Sequence, residues 1–153
     1  MNQREQIQMT DAEVEEFLHG RHTMSIATIS KDGQPHLVAM WYGFLDGKPA
    51  FWTYGKSQKV MNLQRDNRIT CLIEDGKTYN ELRGVSLIGK AKIYEDEETR
   101  MRLAKNVYER YNGTVNDQVR AVLRKMGDKR VVVQIEVEKV ISWDHRKIKV
   151  SNH

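Results

Sequence analysis

The strongest chemical signal in the sequence is the segment Thr-Tyr-Gly-Lys-Ser-Gln-Lys at residues 53–59, which leads into a helical pattern over residues 57–66. A strand ending at Thr53 would pass through a glycine turn into a helix that begins among Lys56, Ser57 and Lys59. A helix N-terminus carries unpaired N–H groups and the positive end of the helix dipole, so it attracts anions. We predict an anion site here; the alternative is a capped helix with two solvated lysines.

Other residue types that often do chemistry give weaker patterns. Only His19 and His22 have the spacing of a helical metal pair, and they flank Gly20 at a predicted helix end, so the sequence favours surface histidines and no metal site. Cys71 lies in a predicted strand, where a thiol usually packs as a small hydrophobe. The sequence has no nucleophile elbow, phosphate-binding loop or dinucleotide fingerprint.

Length and composition limit the class of protein. The chain has 153 residues with 25 Lys+Arg and 21 Asp+Glu, which gives a formal net charge of +4. We expect one domain over residues 1–153, with residues 1–9 as a flexible N-terminus. A single cysteine cannot form an internal disulfide, and we find neither a membrane-spanning run nor a signal peptide. The composition therefore predicts a soluble, cytoplasmic protein that does not bind membranes.

Hydrophobic periodicity predicts a mainly β structure with short helices, an α+β class. Asp-Gly pairs at residues 32–33 and 46–47 mark tight turns between apolar runs, and a third pair at 75–76 closes the fourth strand. Connections this short require antiparallel strands, and six strands suit a small barrel. The predicted strands cover residues 22–30, 36–45, 50–54, 68–74, 82–94 and 130–143. Gly84 and Gly89 indicate a bulge or a close backbone approach in the fifth strand.

Four helices are predicted around these strands. The first begins at Thr10, which forms a capping box with Glu13. The others cover residues 57–66, 96–112 and 116–126. In the helix at 57–66 the periodicity directs Val60, Leu63 and Met61 inward and turns Asn62, Gln64 and Arg65 outward.

The order of several motifs resembles one family, the split-barrel flavin and deazaflavin oxidoreductases related to pyridoxamine 5'-phosphate oxidase. The resemblance covers residues 11–143, and its parts together are fairly specific. They are Phe17-Leu18, Ser25-Ile26-Ala27-Thr28, Asp32-Gly33-x-Pro35-His36, Trp41-Tyr42, Ser57-x-Lys59-x-x-Asn62-Leu63-x-x-Asp66, and Glu81-Leu82-Arg83-Gly84-Val85 leading to Gly89-x-Ala91.

The resemblance implies a six-stranded antiparallel split β-barrel that forms a homodimer, with a flavin-type cofactor in a groove at the subunit interface. It assigns the second strand to the tricyclic ring, the end of the third strand to the ribityl chain, and the following helix start to the phosphate. Arg83 and Trp143 are candidates for the partner-chain side of the groove, with a core role as the alternative for Trp143. The remaining implied cofactor residues are Val38, Ala39, Met40, Trp41 and Tyr42 for the ring, Thr53 and Tyr54 for the ribityl chain, and Lys56, Ser57, Gln58, Lys59 and Asn62 around the phosphate.

The sequence departs from pyridoxamine phosphate oxidase itself. That enzyme's second strand supplies a basic pair to the cofactor phosphate, where this chain has Leu37 and Tyr42. It also lacks the oxidase's basic C-terminal substrate motif, which argues against vitamin B6 oxidation. The chain is more similar to the branch that uses coenzyme F420, a deazaflavin with a polyglutamate tail that suits a positive surface; FMN or FAD are the alternatives.

These inferences favour an oxidoreductase that transfers hydride to or from a small organic substrate, with the chemistry carried by the cofactor. Tyr42, Tyr54 or a water are candidate proton donors. One alternative is a non-catalytic carrier of flavin, F420 or haem with the same fold. Nucleic-acid binding is disfavoured because the basic residues are not interleaved with exposed aromatic side chains. The basic residues considered are Lys56, Lys59, Arg146, Lys147 and Lys149. The last three belong to a basic tail, which we interpret either as solvated or as a contact with the subunit interface or with the tail of the cofactor.

Overall fold

One antiparallel seven-stranded sheet, curled into a half-barrel, dominates the computed structural model, which describes residues 2–20 and 22–149. The order of neighbouring strands is β2-β1-β5-β6-β7-β4-β3. The strands are β1 (Met24–Ile29), β2 (Pro35–Met40), β3 (Gly43–Leu45), β4 (Lys48–Tyr54), β5 (Arg68–Asp75), β6 (Arg83–Tyr94) and β7 (Arg130–Asp144). The mainly β class and the antiparallel split barrel predicted from the sequence are confirmed.

The predicted count of six strands is wrong because the predicted strand at 36–45 is two strands. β2 pairs with β1 as far as Met40, opposite Met24, whereas β3 pairs with β4 from Gly43. The chain changes partners at Tyr42, whose side chain is fully buried and whose hydroxyl donates a hydrogen bond to the carbonyl of Leu18. The two halves therefore lie at opposite edges of the sheet.

The described residues contain five α-helices besides the sheet: α1 (Gln3–Gln6), α2 (Asp11–Leu18), α3 (Gln58–Arg65), α4 (Glu97–Tyr111) and α5 (Asp117–Gly127). The predicted capping box at Thr10 is present at the start of α2. The segment expected to be a flexible N-terminus contains α1, and Met9 packs in the core. None of the helices described is long and apolar enough to cross a membrane.

The core has two parts on the two faces of the sheet. Inside the curl, residues of β1, β4, β5, β6 and β7 form the larger cluster, which includes Ile26, Phe51 and Ile135. On the outer face, α4 covers β3, β4 and β7 through Leu103. Cys71 is fully buried in the larger cluster, as predicted, and this burial raises the pKa of its thiol to about 12.

Helix α3 lies against β1 through a buried amide. Asn62 was predicted to point outward, but it is fully buried, while Met61, predicted inward, is exposed. The side-chain amide of Asn62 donates to Thr28 Oγ1 at 3.0 Å. A buried amide group costs little free energy when it is hydrogen-bonded, whereas one without a hydrogen-bond partner destabilises the protein. This bond therefore fixes the position of α3 relative to β1.

The predicted irregularity in the long fifth strand is present in β6. The pairing of β6 with β7 shifts register between Ile88 and Gly89. A Cβ atom at Gly89 would collide with the backbone carbonyl of Glu136 on β7. The glycine is therefore required by the close approach of the two backbones.

Replacing Gly89 by alanine should lower the free energy of unfolding, because the new methyl group has to displace the β7 backbone at Glu136. We expect a loss of about 1 to 3 kcal/mol, the range for an overpacked site. Urea unfolding of Gly89→Ala and of a control, Gly127→Ala, measures it. The control should be nearly neutral since its Cβ would lie 3.4 Å from the ring of Trp52. Equal stability of the Gly89 variant and the wild type would contradict the argument.

Candidate functional site

The start of α3 contains a buried hydroxyl that lacks a partner. Ser57 is the N-cap residue of α3, yet its side chain makes no capping hydrogen bond. Its Oγ atom is buried and has no hydrogen-bond partner among the residues described. Leaving a buried donor unpaired costs free energy, and most such groups in native proteins are paired. An acceptor placed here by a ligand would satisfy the hydroxyl and the N–H groups of the first helical turn.

Lys59, in the first turn of α3, is half-buried. Burial removes water from its ammonium group and so lowers the pKa of Lys59 below the ordinary lysine value. A bound anion would stabilise the charged form. Gln58 is exposed, and its amide donates to Asn62 Oδ1 at 2.8 Å. Asn62 therefore holds the helix start in place from the core side, while Ser57 and Lys59 carry the donors that were predicted to bind an anion.

The loop between β4 and α3 is tied to the beginning of β7. The N–H of Gly55 donates to the carbonyl of Lys129 at 2.9 Å, and the N–H of Ser57 donates to the carbonyl of Tyr54 at 3.0 Å. Thr53 is buried on the inner face of the sheet, whereas Tyr54 is 54% exposed. The predicted segment therefore lies in one hydrogen-bonded loop, but Thr53 is covered by protein.

A cleft of about 890 Å³ lies next to this loop on the outer face of the sheet; we call it the outer cleft. Its walls come from the β4–α3 loop, from α4 and the residues before it, and from the α5–β7 junction. The guanidinium of Arg130 lies 4.3 Å from the centre of the Tyr54 ring and 5.2 Å from that of Trp52. The lining residues are Tyr54, Gly55, Lys56, Ser57, Glu95, Arg100, Asp128, Lys129, Arg130 and Val131.

Sequence reasoning missed the cations that α4 and β7 contribute to the outer cleft. Arg130 is placed by strand register, since it pairs with Tyr54 across β4 and β7. Arg100 comes from the first turns of α4, far away in the chain. A local pattern contains no information on which of several exposed arginines such a pairing will bring to the loop.

β2 offers an apolar face next to an exposed indole. Along β2 the side chains of Val38 and Met40 pack against the core, while Ala39 is exposed. Trp41 follows directly; it is 53% exposed and stacks on Tyr111 of α4 with 4.3 Å between ring centroids. The exposed side of the predicted ring-binding strand is therefore partly apolar, and the stacking of Tyr111 on Trp41 is a contact that the sequence did not indicate.

Tyr42 is the exception among the predicted ring-binding residues. Its side chain is fully buried, and the guanidinium of Arg110 lies 4.7 Å from the centre of its ring. Burial raises the pKa of Tyr42 to about 12, with the nearby arginine acting in the opposite direction. The hydroxyl is already bonded to the carbonyl of Leu18. A tyrosine held this way maintains the turn between β2 and β3 and is poorly placed to donate a proton to a substrate.

Arg83 and Trp143 lie far from Ser57 within one chain. Arg83 pairs with the carboxylate of Asp75 at 2.7 Å, and the indole of Trp143 lies against Gly84. Trp143 is near the last residue of β7, and Arg83 begins β6 opposite Asp144, whereas Arg130 is at the other end of β7, roughly 40 Å away along the strand. The structure therefore does not bring them together with the start of α3 in a single copy of the chain.

The basic residues near the C-terminus are held by acidic partners. Arg146 pairs with Asp144 at 2.8 Å, and Lys147 pairs with Glu13 at 2.6 Å. They are at the end of the sheet away from Lys56 and Lys59. In the described part of the chain these cations therefore do not form one continuous patch.

The chain is similar to several known proteins. The chain is 44% identical to the conserved hypothetical protein Rv2991 from Mycobacterium tuberculosis; the structures superpose with a TM-score of 0.90, covering 99% of this chain and 98% of the other. It is 27% identical over 128 residues to the F420H2-dependent biliverdin reductase of M. tuberculosis (strain CDC 1551 / Oshkosh), covering 82% of each chain. A solved F420 reductase, 21% identical, shares the fold with a TM-score of 0.66, covering 82% of this chain and 94% of the other.

The family follows from a match that spans nearly the whole chain. The sequence model described as pyridoxamine 5'-phosphate oxidase matches residues 10–144, from the cap of α2 to the end of β7. Two of these similar proteins have F420 in their names. The chain belongs to the pyridoxamine 5'-phosphate oxidase-like split-barrel family.

Proposed function

We propose that this protein is an oxidoreductase that binds a flavin-type cofactor, coenzyme F420 in preference to FMN or FAD, with the cofactor phosphate at the start of α3. The observation that carries the proposal is the unpaired, buried Ser57 hydroxyl beside the desolvated ammonium of Lys59. The relative named F420H2-dependent biliverdin reductase supports the choice of F420. We propose a small organic molecule as the substrate.

The residues present fit such a cofactor. A phosphate accepts hydrogen bonds, and the start of α3 offers a hydroxyl, an ammonium group and backbone N–H groups as donors. A planar ring needs a flat apolar surface, which the exposed side of β2 and the indole of Trp41 provide. When bound, the cofactor would supply the hydride chemistry. The roles of this chain are to hold the phosphate, to position the ring and to exclude water.

Tyr54 is the better proton donor of the two tyrosines considered. Its ring is 54% exposed at the edge of the outer cleft, whereas the side chain of Tyr42 is inside the core. Since the reduction of a substrate by hydride transfer also consumes a proton, either the Tyr54 hydroxyl or a water must deliver it.

We further propose that the active form is a homodimer. Arg83 and Trp143 can contribute to the groove only from a second copy, because within one chain they lie at the far end of β7 from Ser57. Large apolar side chains are exposed on the edge strand β2 and on the outer part of β7, at Leu37, Val137 and Val140. A second copy that covered these side chains would remove them from water, which favours association.

The decisive experiment is a parallel titration of the purified protein with F420, FMN, FAD and haem, followed through the fluorescence of Trp41, Trp52 and Trp143. Saturable binding of F420 or a flavin, followed by substrate-dependent oxidation of the reduced cofactor, supports the enzyme. Binding without turnover of any substrate would favour the carrier alternative. If neither F420 nor a flavin binds, the proposal is wrong.

Replacing Lys59 by methionine should weaken cofactor binding about tenfold. A hydrogen bond to a charged group is worth about 1.5 to 3 kcal/mol, and the lower value applies because Lys59 is half-exposed. Fluorescence titration of Lys59→Met measures the loss. Lys77→Met removes the same charge from an exposed loop and is the matched control. Similar dissociation constants for the Lys59 variant and the wild type would rule out this phosphate site.

The affinity for the cofactor should decrease as the pH rises through the lowered pKa of Lys59. Because burial already lowers the pKa of this ammonium group, it loses its charge below the ordinary value of 10.5, and the bound anion then loses its partner. Below that pKa the affinity should be constant. Titrations at increasing alkaline pH on the wild type and on Lys59→Arg measure the effect. The arginine stays charged, so its profile should be flat; a parallel decline in both proteins would exclude Lys59 as the cause.

A molar-mass measurement by light scattering after size exclusion should show a dimer. Leu37→Lys places a charge on the exposed face of β2 and should shift the protein toward the monomer, because a charge at the centre of an apolar contact is costly. Lys90→Glu, on an exposed position of β6, is the control for a change of surface charge. A monomeric wild type at micromolar concentration would refute the dimer.

A further inference from the structure

His22 packs on a buried aromatic ring beside a guanidinium group. Its imidazole stacks on the ring of Phe17 with 4.5 Å between the ring centroids, and the guanidinium of Arg83 lies 5.1 Å from the centre of the same ring. Phe17 belongs to the larger core cluster, whereas His22 is half-buried. A Cβ atom at Gly20 would collide with the imidazole. The absence of a side chain at Gly20 therefore leaves the space that His22 occupies between α2 and β1.

This packing favours the neutral imidazole over the protonated one. Burial of the ring lowers the pKa of His22 below its ordinary value of 6.5. The carboxylate of Asp75 acts in the opposite direction, but it is already paired with Arg83 at 2.7 Å. The guanidinium groups of Arg83 and Arg110 lower the pKa further. A protonated His22 would therefore lie beside like charges at a position that has lost part of its water.

The remaining charged groups around His22 compensate little for such a charge. They share with His22 a cavity of about 380 Å³ between α2 and the ends of β6 and β7. Glu13 and Asp144 are each in an ion pair with a basic residue, at 2.6 and 2.8 Å. Glu16 is exposed, so water and salt screen its carboxylate. A protonated imidazole is therefore better solvated outside its packed position. The charged residues that line this cavity are Glu13, Glu16, Arg83, Asp144 and Arg146.

The backbone of His22 is joined to the exposed indole of Trp41 through one tyrosine. The hydroxyl of Tyr111 donates to the carbonyl of His22 at 2.6 Å. The ring of Tyr111 stacks on Trp41, with 4.3 Å between the centroids and 5° between the planes. The same hydroxyl accepts a hydrogen bond from the N–H of Tyr42 at 3.5 Å. Because Trp41 is half exposed, a movement of His22 that breaks the bond to Tyr111 removes a support of the indole.

We propose that protonation of His22 at acid pH releases the Trp41 indole from its fixed orientation; we call this the His22 switch. At neutral pH the uncharged imidazole packs on Phe17, and the carbonyl of His22 holds Tyr111 against the indole. At acid pH the protonated imidazole moves away from Phe17 and Arg83 into water, and the bond to Tyr111 is lost. The switch regulates the surface on which the proposed function places the cofactor ring, and only that consequence rests on the proposed function.

The switch can be measured without any cofactor. In an NMR spectrum of the N–H groups each of the three tryptophans gives one indole signal, and Trp41→Phe identifies the signal of Trp41. Between about pH 8 and about pH 4 this signal should shift with the same midpoint as the Hε1 proton of His22, at a pH below 6.5. If His22 does not titrate in this range, or if the Trp41 signal stays constant while His22 titrates, the switch is excluded.

Two substitutions separate the switch from other effects of acid. His22→Phe keeps a ring stacked on Phe17 but cannot be protonated, so the Trp41 signal should not change with pH. His19→Gln is the matched control, because it removes an exposed histidine at the end of α2 and keeps a partner for Glu15. The shift should remain in this control. A shift that persists in His22→Phe or disappears in His19→Gln would assign the effect to another group and overturn the proposal.

Gly20→Ala tests the switch at neutral pH. The added methyl group has to displace the imidazole of His22, so the Trp41 signal should already resemble that of the wild type at acid pH. A wild-type Trp41 signal in this variant would show that the position of His22 does not hold the indole. Urea unfolding establishes that each variant is folded, and if Gly20→Ala is not, His22→Phe still decides.

The outcomes for the switch and for the proposed function can be told apart. If neither F420 nor a flavin binds, the proposed function fails, and the NMR titration of the protein alone still decides the switch. If one of them binds, its affinity should decrease toward acid pH in the wild type and stay constant in His22→Phe. If a cofactor binds but the Trp41 signal does not follow His22, the proposed function stands and the switch fails.

Discussion

The antiparallel pairing of β4 with the first residues of β7 is the constraint on which the site depends. It places Arg130 opposite Tyr54 and brings the carbonyl of Lys129 to the N–H of Gly55. Once the β4–α3 loop is bound at this point, the start of α3 has a fixed direction relative to the sheet. The outer cleft then forms between the loop and the α5–β7 junction. A shift of this register by one residue would turn Arg130 to the opposite face.

The site is built from polar groups that the fold leaves incompletely paired. The Ser57 hydroxyl and the Arg100 Nε–H group are buried without partners, and the ammonium of Lys59 is partly desolvated. Each of these features reduces the stability of the protein without ligand. The well-packed interior offsets that cost, with Ile26, Phe51 and other residues of the larger cluster fully buried. Unpaired donors beside a rigid core are what a preorganised anion site requires, because no reorganisation is then needed on binding.

Arg110 of α4 shapes the other side of the candidate groove. Its guanidinium donates to the backbone carbonyls of Tyr42 and Gly20 and lies over the Tyr42 ring. Next to it, the Tyr111 hydroxyl donates to the carbonyl of His22, and its ring supports Trp41. The end of α4 thus joins α2, β1 and the turn after β2. These contacts explain how the indole of Trp41, which is half exposed, keeps a defined orientation at the end of β2.

Local signals in the sequence were sufficient for much of the fold. The capping box at Thr10 and the Asp-Gly turns at residues 32–33 and 46–47 each depend on neighbours within a few residues. The motif order was also sufficient for the family. The division of the predicted strand at Tyr42, the inward orientation of Asn62 and the approach of Arg100 and Arg130 to Ser57 were not predictable. Each depends on a partner more than 20 residues away, Leu18 for Tyr42 and Thr28 for Asn62. Periodicity shows which residues can be buried, whereas strand register and helix packing decide which distant groups meet.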